Sequence, residues 1–355
     1  MESGLPSNPN GALSFVGQVN PVRDSLSRPL QDLRISLTDH CNFRCRYCMP
    51  KEVFGPNFAF LPKEALLLDD EIVRLARIFA RLGVRKLRLT GGEPLLRPAL
   101  AGLIQQLSQI DGIEDISLTT NGSLLTAQKA IELKRAGLHR VTISLDSLDN
   151  ETFMRLNDVH CSVETVLAAI DAANTAKLTP VKVNMVVIKG INDHEVVSMA
   201  EYFRGTGIIV RFIEYMDVGN SNHWQMEQVY SAKEMLDAIS AKWPLAQAQR
   251  THPGEVASRY CYEDGQGEIG IISSVTAPFC QACTRARLSA EGKLFMCLFA
   301  SSGFDLRHHL RSGETDEAIA DRIAQLWSKR DDRYSELRFS QKEPKSKVEM
   351  SHIGG

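Results

Sequence analysis

The sequence lacks several features that mark broad classes of protein. Its 355 residues carry 41 Lys and Arg against 43 Asp and Glu, so the basic excess of a general nucleic-acid binder is missing. No apolar run approaches the roughly 18 residues that a membrane-spanning helix requires. The first residues contain no basic segment followed by an apolar one, so we expect no secretion signal and a cytoplasmic protein.

Neither of the common glycine-rich nucleotide-binding motifs occurs in a suitable context. The sequence contains no GxxxxGK[ST], so a nucleotide site in this chain would not be a P-loop. Residues 265–270 spell GxGxxG, but they neither follow a strand of a βαβ unit nor open a helix. We predict a hairpin turn at these residues instead of a dinucleotide site.

Cysteine is present in an uneven distribution. Six of the eight cysteines form two triplets, the first being Cys41, Cys45 and Cys48 and the second Cys280, Cys283 and Cys297. In a reducing cytosol, clustered cysteines indicate metal or redox sites rather than disulfides. The isolated Cys161 and Cys261 are interpreted as small apolar residues.

Short β-branched runs alternate with longer segments of helical periodicity. We predict strands at 33–37, 84–89, 116–119, 141–145, 181–188 and 208–213, with helices at 64–82, 98–110, 126–136, 163–176 and 193–204. This alternation is typical of βα units around a parallel sheet, whose binding residues collect at the carboxyl ends of the strands. Six units favour a partial (β/α)6 barrel of the TIM type, although a doubly wound sheet has a similar pattern.

The pattern changes after residue 225. A helix is predicted at 231–241 and another at 317–329, and the β-rich sequence between them holds the second cysteine triplet. We divide the chain into an N-terminal arm (1–30), a core (31–225), a C-terminal domain (226–330) and a tail (331–355). The arm has no predicted core of its own, and the charged tail is predicted to be flexible.

The first triplet places three thiols within a CxxxCxxC motif, on the loop after the first predicted strand. Thiolates are soft ligands that suit zinc, copper(I) or iron–sulfur clusters. A structural zinc site needs four protein ligands, and His40 is too close to Cys41 to complete such a set easily. A cubane cluster held by three cysteines keeps one iron free for a small molecule. We therefore favour an iron–sulfur cluster, with zinc and reactive thiols as alternatives.

The segment LTDHCNFRCRYCMP and the GGEP loop at residues 91–94 resemble the radical S-adenosylmethionine (SAM) superfamily. The resemblance implies a [4Fe–4S] cluster on the first triplet, whose open iron is chelated by SAM. Paired glycines allow a close approach of the backbone to a ligand, and Glu93 is an acceptor suited to an ammonium group. The SAM contacts implied by the superfamily pattern are Tyr47, Gly92, Ser144 and Met216.

The segment PFCQACTRARLSAEGKLFMCLF resembles the MoaA family, the GTP 3′,8-cyclases of molybdenum cofactor biosynthesis. The resemblance implies a second [4Fe–4S] cluster on the second triplet, with an open iron that meets the guanine of GTP. It also implies a C-terminal iron–sulfur domain that closes the barrel mouth. Gly354 and Gly355 match the double-glycine tail of the family, which reaches into the active site.

Several arginines flank these motifs. Arg pairs bidentately with phosphate oxygens, and Arg285 and Arg287 share one face of an extended segment. By resemblance, the GTP contacts are Arg34, Arg88, Thr119, Lys182, Arg285 and Arg287. The catalytic residues implied in the same way are Arg285, Arg287, Gly354 and Gly355.

The resemblance implies a lyase that converts GTP to (8S)-3′,8-cyclo-7,8-dihydroguanosine 5′-triphosphate with a 5′-deoxyadenosyl radical. Two [4Fe–4S] clusters and SAM are its expected cofactors. Its expected partners are an external electron donor and a downstream enzyme, with no nucleic acid or membrane, and the protein is expected to be a monomer or homodimer. One alternative is another radical SAM enzyme with an auxiliary cluster, such as a peptide-modifying maturase. A non-enzymatic iron–sulfur or zinc protein is a more distant alternative.

Overall fold

Twelve β-strands form one continuous sheet in the computed structural model, which describes residues 21–251, 254–340 and 346–354. The strands are β1 Asp32–Ser36, β2 Lys86–Thr90, β3 Asp115–Thr120, β4 Arg140–Ser144, β5 Lys182–Val187, β6 Ile209–Glu214, β7 Leu245–Gln247, β8 Ser258–Tyr262, β9 Glu268–Ile272, β10 Arg285–Leu288, β11 Lys293–Phe295 and β12 Phe304–Asp305. The α-helices are α1 Asp69–Arg81, α2 Leu100–Ser108, α3 Ala127–Arg135, α4 Asn150–Asn157, α5 Val163–Thr175, α6 Val196–Phe203, α7 Ala232–Ser240, α8 Leu306–Arg311, α9 Asp316–Ser328, α10 Tyr334–Leu337 and α11 Met350–Ile353. Every predicted strand and helix is present with shifted ends, whereas α4, α8, α10 and α11 are not among the predicted helices.

Local sequence sets the starts of several helices. The Thr126 hydroxyl accepts a hydrogen bond from the Lys129 amide at the start of α3. Ser231 and Glu234 form a reciprocal capping box at the start of α7. Such side chains satisfy amide groups that the first helical turn leaves without a partner.

The order of the strands identifies the architecture. It runs β12-β11-β10-β1-β2-β3-β4-β5-β6-β9-β8-β7, and the run from β10 to β9 is parallel throughout. The six predicted strands lie side by side in chain order. In a doubly wound sheet the order of the strands reverses at a switch point. The structure is therefore consistent with the predicted partial barrel of the TIM type.

The C-terminal part extends this barrel at both ends. β9 lies beside β6 and β10 lies beside β1, each in parallel. Residues 273–284, which include two cysteines of the second triplet, connect these opposite ends of the parallel run. The GxGxxG segment at 265–270 spans the turn of the β8–β9 hairpin and the start of β9, as predicted.

The parallel strands separate an apolar face from a polar face. In β5, Val183, Met185 and Val187 are buried in the core, whereas the alternating Lys182 and Asn184 face the interior of the barrel. β6 alternates in the same way, because successive strand residues point to opposite faces. The helices cover the buried apolar face, and the opposite face places charged and polar side chains among apolar ones in the interior.

The structure corrects the predictions for the two ends of the chain. Residues 1–20 of the predicted arm lie outside the described residues, but within 21–30 both Leu30 and Arg28 are buried. The prediction of a flexible tail is wrong for 331–340 and 346–354, where Arg338 and Ile353 are buried. Asp217 explains the difference, because its carboxylate binds charged tail residues that the sequence pattern alone leaves without partners. None of the described helices is long and apolar enough to cross a membrane.

Candidate active site

A cavity of about 400 Å³ lies inside the arc of parallel strands. Its volume falls within the range of small-molecule sites. The structure brings together around it both cysteine triplets and the predicted contact residues Arg34, Tyr47, Arg88, Gly92, Thr119, Ser144, Lys182, Met216, Arg285 and Arg287. Gly354 contacts one of these residues, since its carbonyl oxygen accepts a hydrogen bond from Arg287. Gly355 lies outside the described residues.

The first triplet follows β1, on the loop that the sequence predicts. Burial raises the pKa of Cys41 to about 11, and burial together with the charge of Asp146 raises the pKa of Cys45. The Phe43 amide donates a hydrogen bond to Cys41 Sγ at 3.4 Å. Thiols in such surroundings stay protonated unless a metal stabilises the thiolate.

The GGEP loop packs directly against the loop of the first triplet. Gly91 has a φ of +140°, and a Cβ on Gly92 would lie 2.1 Å from the His40 carbonyl oxygen. These glycines therefore allow two backbones to approach each other closely. Gly92 also lines the cavity.

Glu93 does not line the cavity, so its role as an acceptor for an ammonium group stays a prediction. It is fully buried, and its carboxylate accepts hydrogen bonds from the Leu95 amide, the Asn121 amide and the Thr120 hydroxyl at 2.8–2.9 Å. Burial raises its pKa to about 7. The side chain ties the loop after β2 to the end of β3, because folding brings these donors around it.

Tyr47 points toward a carboxylate that the sequence analysis missed. Its hydroxyl donates to Asp146 Oδ2 at 2.7 Å, and Asp146 Oδ1 accepts from the Val186 amide at 2.9 Å. Burial raises the pKa of Asp146 to about 6. Asp146 follows β4 in the DSLD segment, and its place after a parallel strand was the only sequence signal for a functional role.

The second triplet lies among cations. Arg330 Nη2 donates to Cys283 Sγ at 3.2 Å, and Arg285 Nη2 donates to the same atom at 3.6 Å. Burial raises the pKa of Cys283, but the charges of Arg285 and Arg330 outweigh burial and lower that pKa to about 6. Burial raises the pKa of Cys297 to about 11.

A row of cations crosses the cavity wall between the triplets. Arg34 on β1 lies beside Arg287 on β10 and Arg88 on β2 in the strand register. Within residues 21–251, 254–340 and 346–354, none of these three forms an ion pair, because Asp115 and Glu268 bind other arginines. Burial and mutual repulsion lower the pKa of Arg34, and they lower the pKa of Arg88 to about 10.

Lys182 and Arg211 continue this row on β5 and β6. Burial and neighbouring arginines lower the pKa of Lys182 to about 7 and that of Arg211 to about 9. A buried group of like charges is costly unless an anion compensates it. The cavity is therefore suited to a polyanion.

Arg211 is a further residue that the sequence analysis missed. Its Nε donates to Asn184 Oδ1 at 2.9 Å, and a Cβ on the neighbouring Gly270 would lie 2.9 Å from Arg211 Cγ. Gly270 thus leaves room for the arginine stem. The alternation of side chains along a strand could have identified Arg211, because it lies on the same face of β6 as two other cavity-lining residues, Ile209 and Ile213.

The C-terminal helix places Gly354 against the cation row. Arg287 Nη1 donates a hydrogen bond to the Gly354 carbonyl oxygen, and Ile353 is buried. Gly354 has a φ of +76°, and a Cβ there would lie 2.4 Å from Thr90 Cγ2. The position therefore favours glycine for both conformational and steric reasons.

The donor sets fit iron–sulfur clusters better than a single metal ion. Each triplet offers thiols alone, which are the usual ligands of such clusters. In the part of the chain that the structure describes, no three His, Cys, Asp or Glu side chains converge closely enough to hold one ion. A multinuclear cluster takes one thiolate on each iron, so its cysteines stand further apart than those of a zinc site.

Two family matches cover most of the chain. Residues 35–203 match the Radical SAM superfamily, and residues 208–336 match Molybdenum Cofactor Synthesis C. The GTP 3′,8-cyclase of Acidothermus cellulolyticus is 51% identical over 360 aligned residues, covering 94% of this chain and 99% of that protein. The GTP 3′,8-cyclase of Staphylococcus haemolyticus is 48% identical over 341, covering 95% and 100%.

Solved structures with a similar fold have low sequence identity. Streptococcus suis SuiB bound to S-adenosylmethionine has a TM-score of 0.61 at 14% identity, covering 88% of this chain and 68% of SuiB. SuiB bound to its precursor peptide SuiA has a TM-score of 0.60 at 15% identity, covering 93% and 72%. At these identities, the likeness supports the fold alone.

Proposed function

The chain belongs to the GTP 3′,8-cyclase family of the radical SAM superfamily, and on that basis we propose that it converts GTP to (8S)-3′,8-cyclo-7,8-dihydroguanosine 5′-triphosphate. This reaction is the first step of molybdenum cofactor biosynthesis and makes the enzyme a lyase. The match of residues 208–336 to a molybdenum cofactor synthesis family supports this assignment. The observation that carries the proposal is a row of cations that have no ion pair among the described residues, in one cavity with two cysteine triplets.

The cation row binds the triphosphate in this proposal. Phosphate oxygens accept charge-assisted hydrogen bonds from guanidinium and ammonium groups, which are strong in a cavity shielded from water. The proposed GTP contacts are Arg34, Arg88, Thr119, Lys182, Arg285 and Arg287. The proposed catalytic residues, which orient the substrate for the reaction, are Arg285, Arg287, Gly354 and Gly355.

The first triplet binds a [4Fe–4S] cluster, and SAM lies beside it against Tyr47, Gly92, Ser144 and Met216. Membership of the superfamily and the thiol-only donor set support this arrangement. When bound, the reduced cluster and SAM supply the 5′-deoxyadenosyl radical that starts the reaction. The residues of the chain hold SAM close to the ribose and exclude competing hydrogen donors, which is the usual contribution of a protein to cofactor chemistry.

The second triplet binds a second [4Fe–4S] cluster that faces the guanine base. All three cysteines line the same cavity as the cation row. Three thiols leave one iron of a cubane open to a substrate atom. The proposed second-cluster domain at 226–330 thereby completes the pocket formed by the core at 31–225, and its strands β9 and β10 extend the core sheet.

A peptide-modifying maturase is the alternative for this fold. SuiB, which was solved with its precursor peptide, shares the fold at 15% identity. The unpaired cations of the cavity favour GTP, because a peptide provides no dense negative charge to compensate them. The relatives that are 48–51% identical to this chain are named GTP 3′,8-cyclases, which also favours GTP over a peptide as the substrate.

An anaerobic assay with reconstituted enzyme tests the proposal. The enzyme is loaded with iron and sulfide, reduced, and incubated with SAM and either GTP, ATP or a peptide mixture, and products are measured by mass spectrometry. We expect 5′-deoxyadenosine together with an isomer of GTP of unchanged mass. Formation of 5′-deoxyadenosine with no conversion of GTP would overturn the substrate assignment.

A matched pair of variants tests the role of the cation row. Arg88→Gln removes a cavity cation, whereas Arg81→Gln removes an exposed arginine that pairs with Glu317 on the outer surface. We expect the KM for GTP to rise only for Arg88→Gln, by about 10-fold or more, the value of a hydrogen bond to a charged group. Equal KM values for the two variants would contradict triphosphate binding at the row.

The proposal includes partners and a location. SAM cleavage consumes an electron, so an external electron donor is required, and a downstream enzyme takes the cyclised product. The near-neutral net charge supports the absence of a nucleic-acid partner, and we propose a cytoplasmic location. We propose a monomer or homodimer, which light scattering of the reconstituted enzyme distinguishes.

A further inference from the structure

A buried charged cluster adjoins the second triplet. It consists of Asp24, Arg28 and Arg330, and we call it the Asp24 cluster. The three side chains are at most 1% exposed. Asp24 and Arg28 precede β1 and Arg330 follows α9, so folding joins two distant parts of the chain behind the cysteines. Neither sequence motif includes any of these residues.

The Asp24 carboxylate is fully engaged. Oδ2 accepts from Arg28 Nε at 2.6 Å and from Arg330 Nη1 at 3.1 Å. Oδ1 accepts from the backbone amides of Leu26 and Arg28 at 2.8–3.0 Å. One carboxylate therefore holds two guanidinium groups and fixes the turn that carries one of them.

The two guanidinium groups reach the backbone around the whole second triplet. Arg28 Nη1 donates to the Cys280 carbonyl oxygen at 2.8 Å, and Arg330 Nη1 donates to the Cys283 carbonyl oxygen at 2.9 Å. Arg330 Nε donates to the carbonyl oxygen of Met296, the residue before Cys297, at 3.1 Å. The cluster thus contacts the chain at or next to each of the three cysteines.

Arg330 also contacts a thiol directly. Its Nη2 lies 3.2 Å from Cys283 Sγ. Its guanidinium carbon lies 4.6 Å from the ring centroid of Trp327, whose indole Nε1 donates to the Arg28 carbonyl oxygen at 3.1 Å. The orientation of Arg330 is therefore fixed by packing as well as by Asp24.

We propose that Asp24, Arg28 and Arg330 are positioning residues of the second cluster. They hold the segments of Cys280, Cys283 and Cys297 in place for ligation, and Arg330 sets a positive charge at the Cys283 sulfur. This inference rests on the proposed function, since it requires that the second triplet bind a cluster. Removing Asp24 takes the ion pair from the buried Arg28 and leaves the buried Arg330 with only Asp332, whose Oδ2 lies 3.7 Å from Arg330 Nε, so the change is unfavourable. The cysteine segments then lose their anchor.

Asp24→Asn tests the anchor, with Asp316→Asn as the control. Asp316 also binds an arginine across the fold, Arg74, but without contact to the cysteine segments. After anaerobic reconstitution we expect about eight irons per chain in the wild type and the control, and about four in Asp24→Asn, since each cubane contains four. SAM cleavage should persist in Asp24→Asn, which also reports that the core is folded, whereas GTP conversion should be lost.

Arg330→Lys and Arg330→Gln test the charge without removing Asp24. A positive charge beside a cluster stabilises its reduced state, so an electron paramagnetic resonance redox titration should give a lower second-cluster potential for Arg330→Gln than for Arg330→Lys. Equal potentials, or full iron content with normal GTP conversion in Asp24→Asn, would overturn the positioning role. If the wild type retains only one cluster, the second cluster of the proposed function is wrong and the positioning role fails with it.

Discussion

The two cysteine triplets present the same number of thiols to one cavity, but different charged groups surround their central cysteines, Cys45 and Cys283. Around the first triplet, burial and the carboxylate of Asp146 raise the pKa of Cys45. Around the second triplet, Arg285 and Arg330 lower the pKa of Cys283 to about 6. Asp146 lies in the loop after β4 of the barrel core, whereas Arg285 and Arg330 belong to the C-terminal part.

This difference matches the charges of the two proposed ligands. SAM carries a positive sulfonium, which carboxylates near the first triplet attract, whereas GTP carries a triphosphate that requires cations. A cavity that separates charges in this way binds each ligand at one end and disfavours exchange of their positions. Orientation of two reactants in one pocket is thereby encoded in fixed charges.

Replacing the cysteines of each triplet by serine gives the largest expected effect. Cys45→Ser should reduce SAM cleavage by more than about 100-fold, because loss of a ligand exceeds the roughly 10- to 100-fold cost of changing an outer partner of a metal. Cys283→Ser should leave 5′-deoxyadenosine formation within a few-fold of the wild type but abolish the GTP product. Mass spectrometry of both products measures these effects.

The isolated cysteines provide the controls for that comparison. Cys161 and Cys261 do not line the cavity, so Cys161→Ser and Cys261→Ser should retain both activities. If Cys283→Ser formed the cyclised product normally, the second triplet would have no role in binding substrate, and the comparison between the triplets would lose its functional meaning.

Much of the core was predictable because its signals are local. The alternation of β-branched runs and amphipathic segments predicted β1 to β6 and their helices, and motif spacing predicted which loops carry the first triplet and Gly92. The joining of β9 and β10 to opposite ends of the sheet was not predictable, because periodicity identifies a strand but not its partner. Those pairings depend on the tertiary path of residues 273–284.

The missed site residues have no distinctive local context. Asp24 precedes the motifs, Asp146 is one of two acids in DSLD, and Arg211 is one charge in a β-strand. Each gains its position from partners that are distant in the sequence, such as Arg330 for Asp24 and Tyr47 for Asp146. Glu93 is the converse case, because it lies within a motif but does not line the cavity, and its carboxylate accepts hydrogen bonds from the backbone amides of Leu95 and Asn121.

Lys182, on the basic side of the cavity, makes the affinity for GTP depend on pH. Burial and the neighbouring Arg211 lower its pKa to about 7 in the cavity without substrate. A bound triphosphate favours the charged ammonium and raises that pKa, so GTP binding takes up a proton between about pH 7 and the ordinary lysine pKa near 10.4. The affinity for GTP should therefore fall as the pH rises from 7 to 9, as measured by calorimetry in buffers of different ionisation enthalpy.

Variants separate this effect from a general loss of structure. Lys182→Met should weaken GTP binding by about 10- to 100-fold at pH 7, the range for a hydrogen bond to a charged group. Lys182→Arg should retain binding with a smaller pH dependence, because guanidinium holds its charge more strongly than ammonium. The exposed Lys189, which pairs with Glu234, gives the control Lys189→Met. A wild-type affinity that does not change between pH 7 and 9 would contradict proton uptake at Lys182.

Gly354 tests the smallest expected effect, at the point where the C-terminal segment meets the basic side of the cavity. Gly354→Ala introduces a Cβ 2.4 Å from Thr90 Cγ2 at a φ of +76°. We expect this side chain to displace Gly354 from Arg287 and to raise the activation free energy of GTP conversion by about 1 kcal/mol, which lowers GTP turnover by about 5- to 10-fold. Gly190→Ala is the matched control, since Gly190 has a φ of +78° with open space around its Cβ position.

Thermal unfolding should be unchanged for Gly354→Ala, because the terminal segment moves without opening the barrel core. Unchanged turnover would show that the hydrogen bond from Arg287 to this carbonyl does not contribute to the reaction.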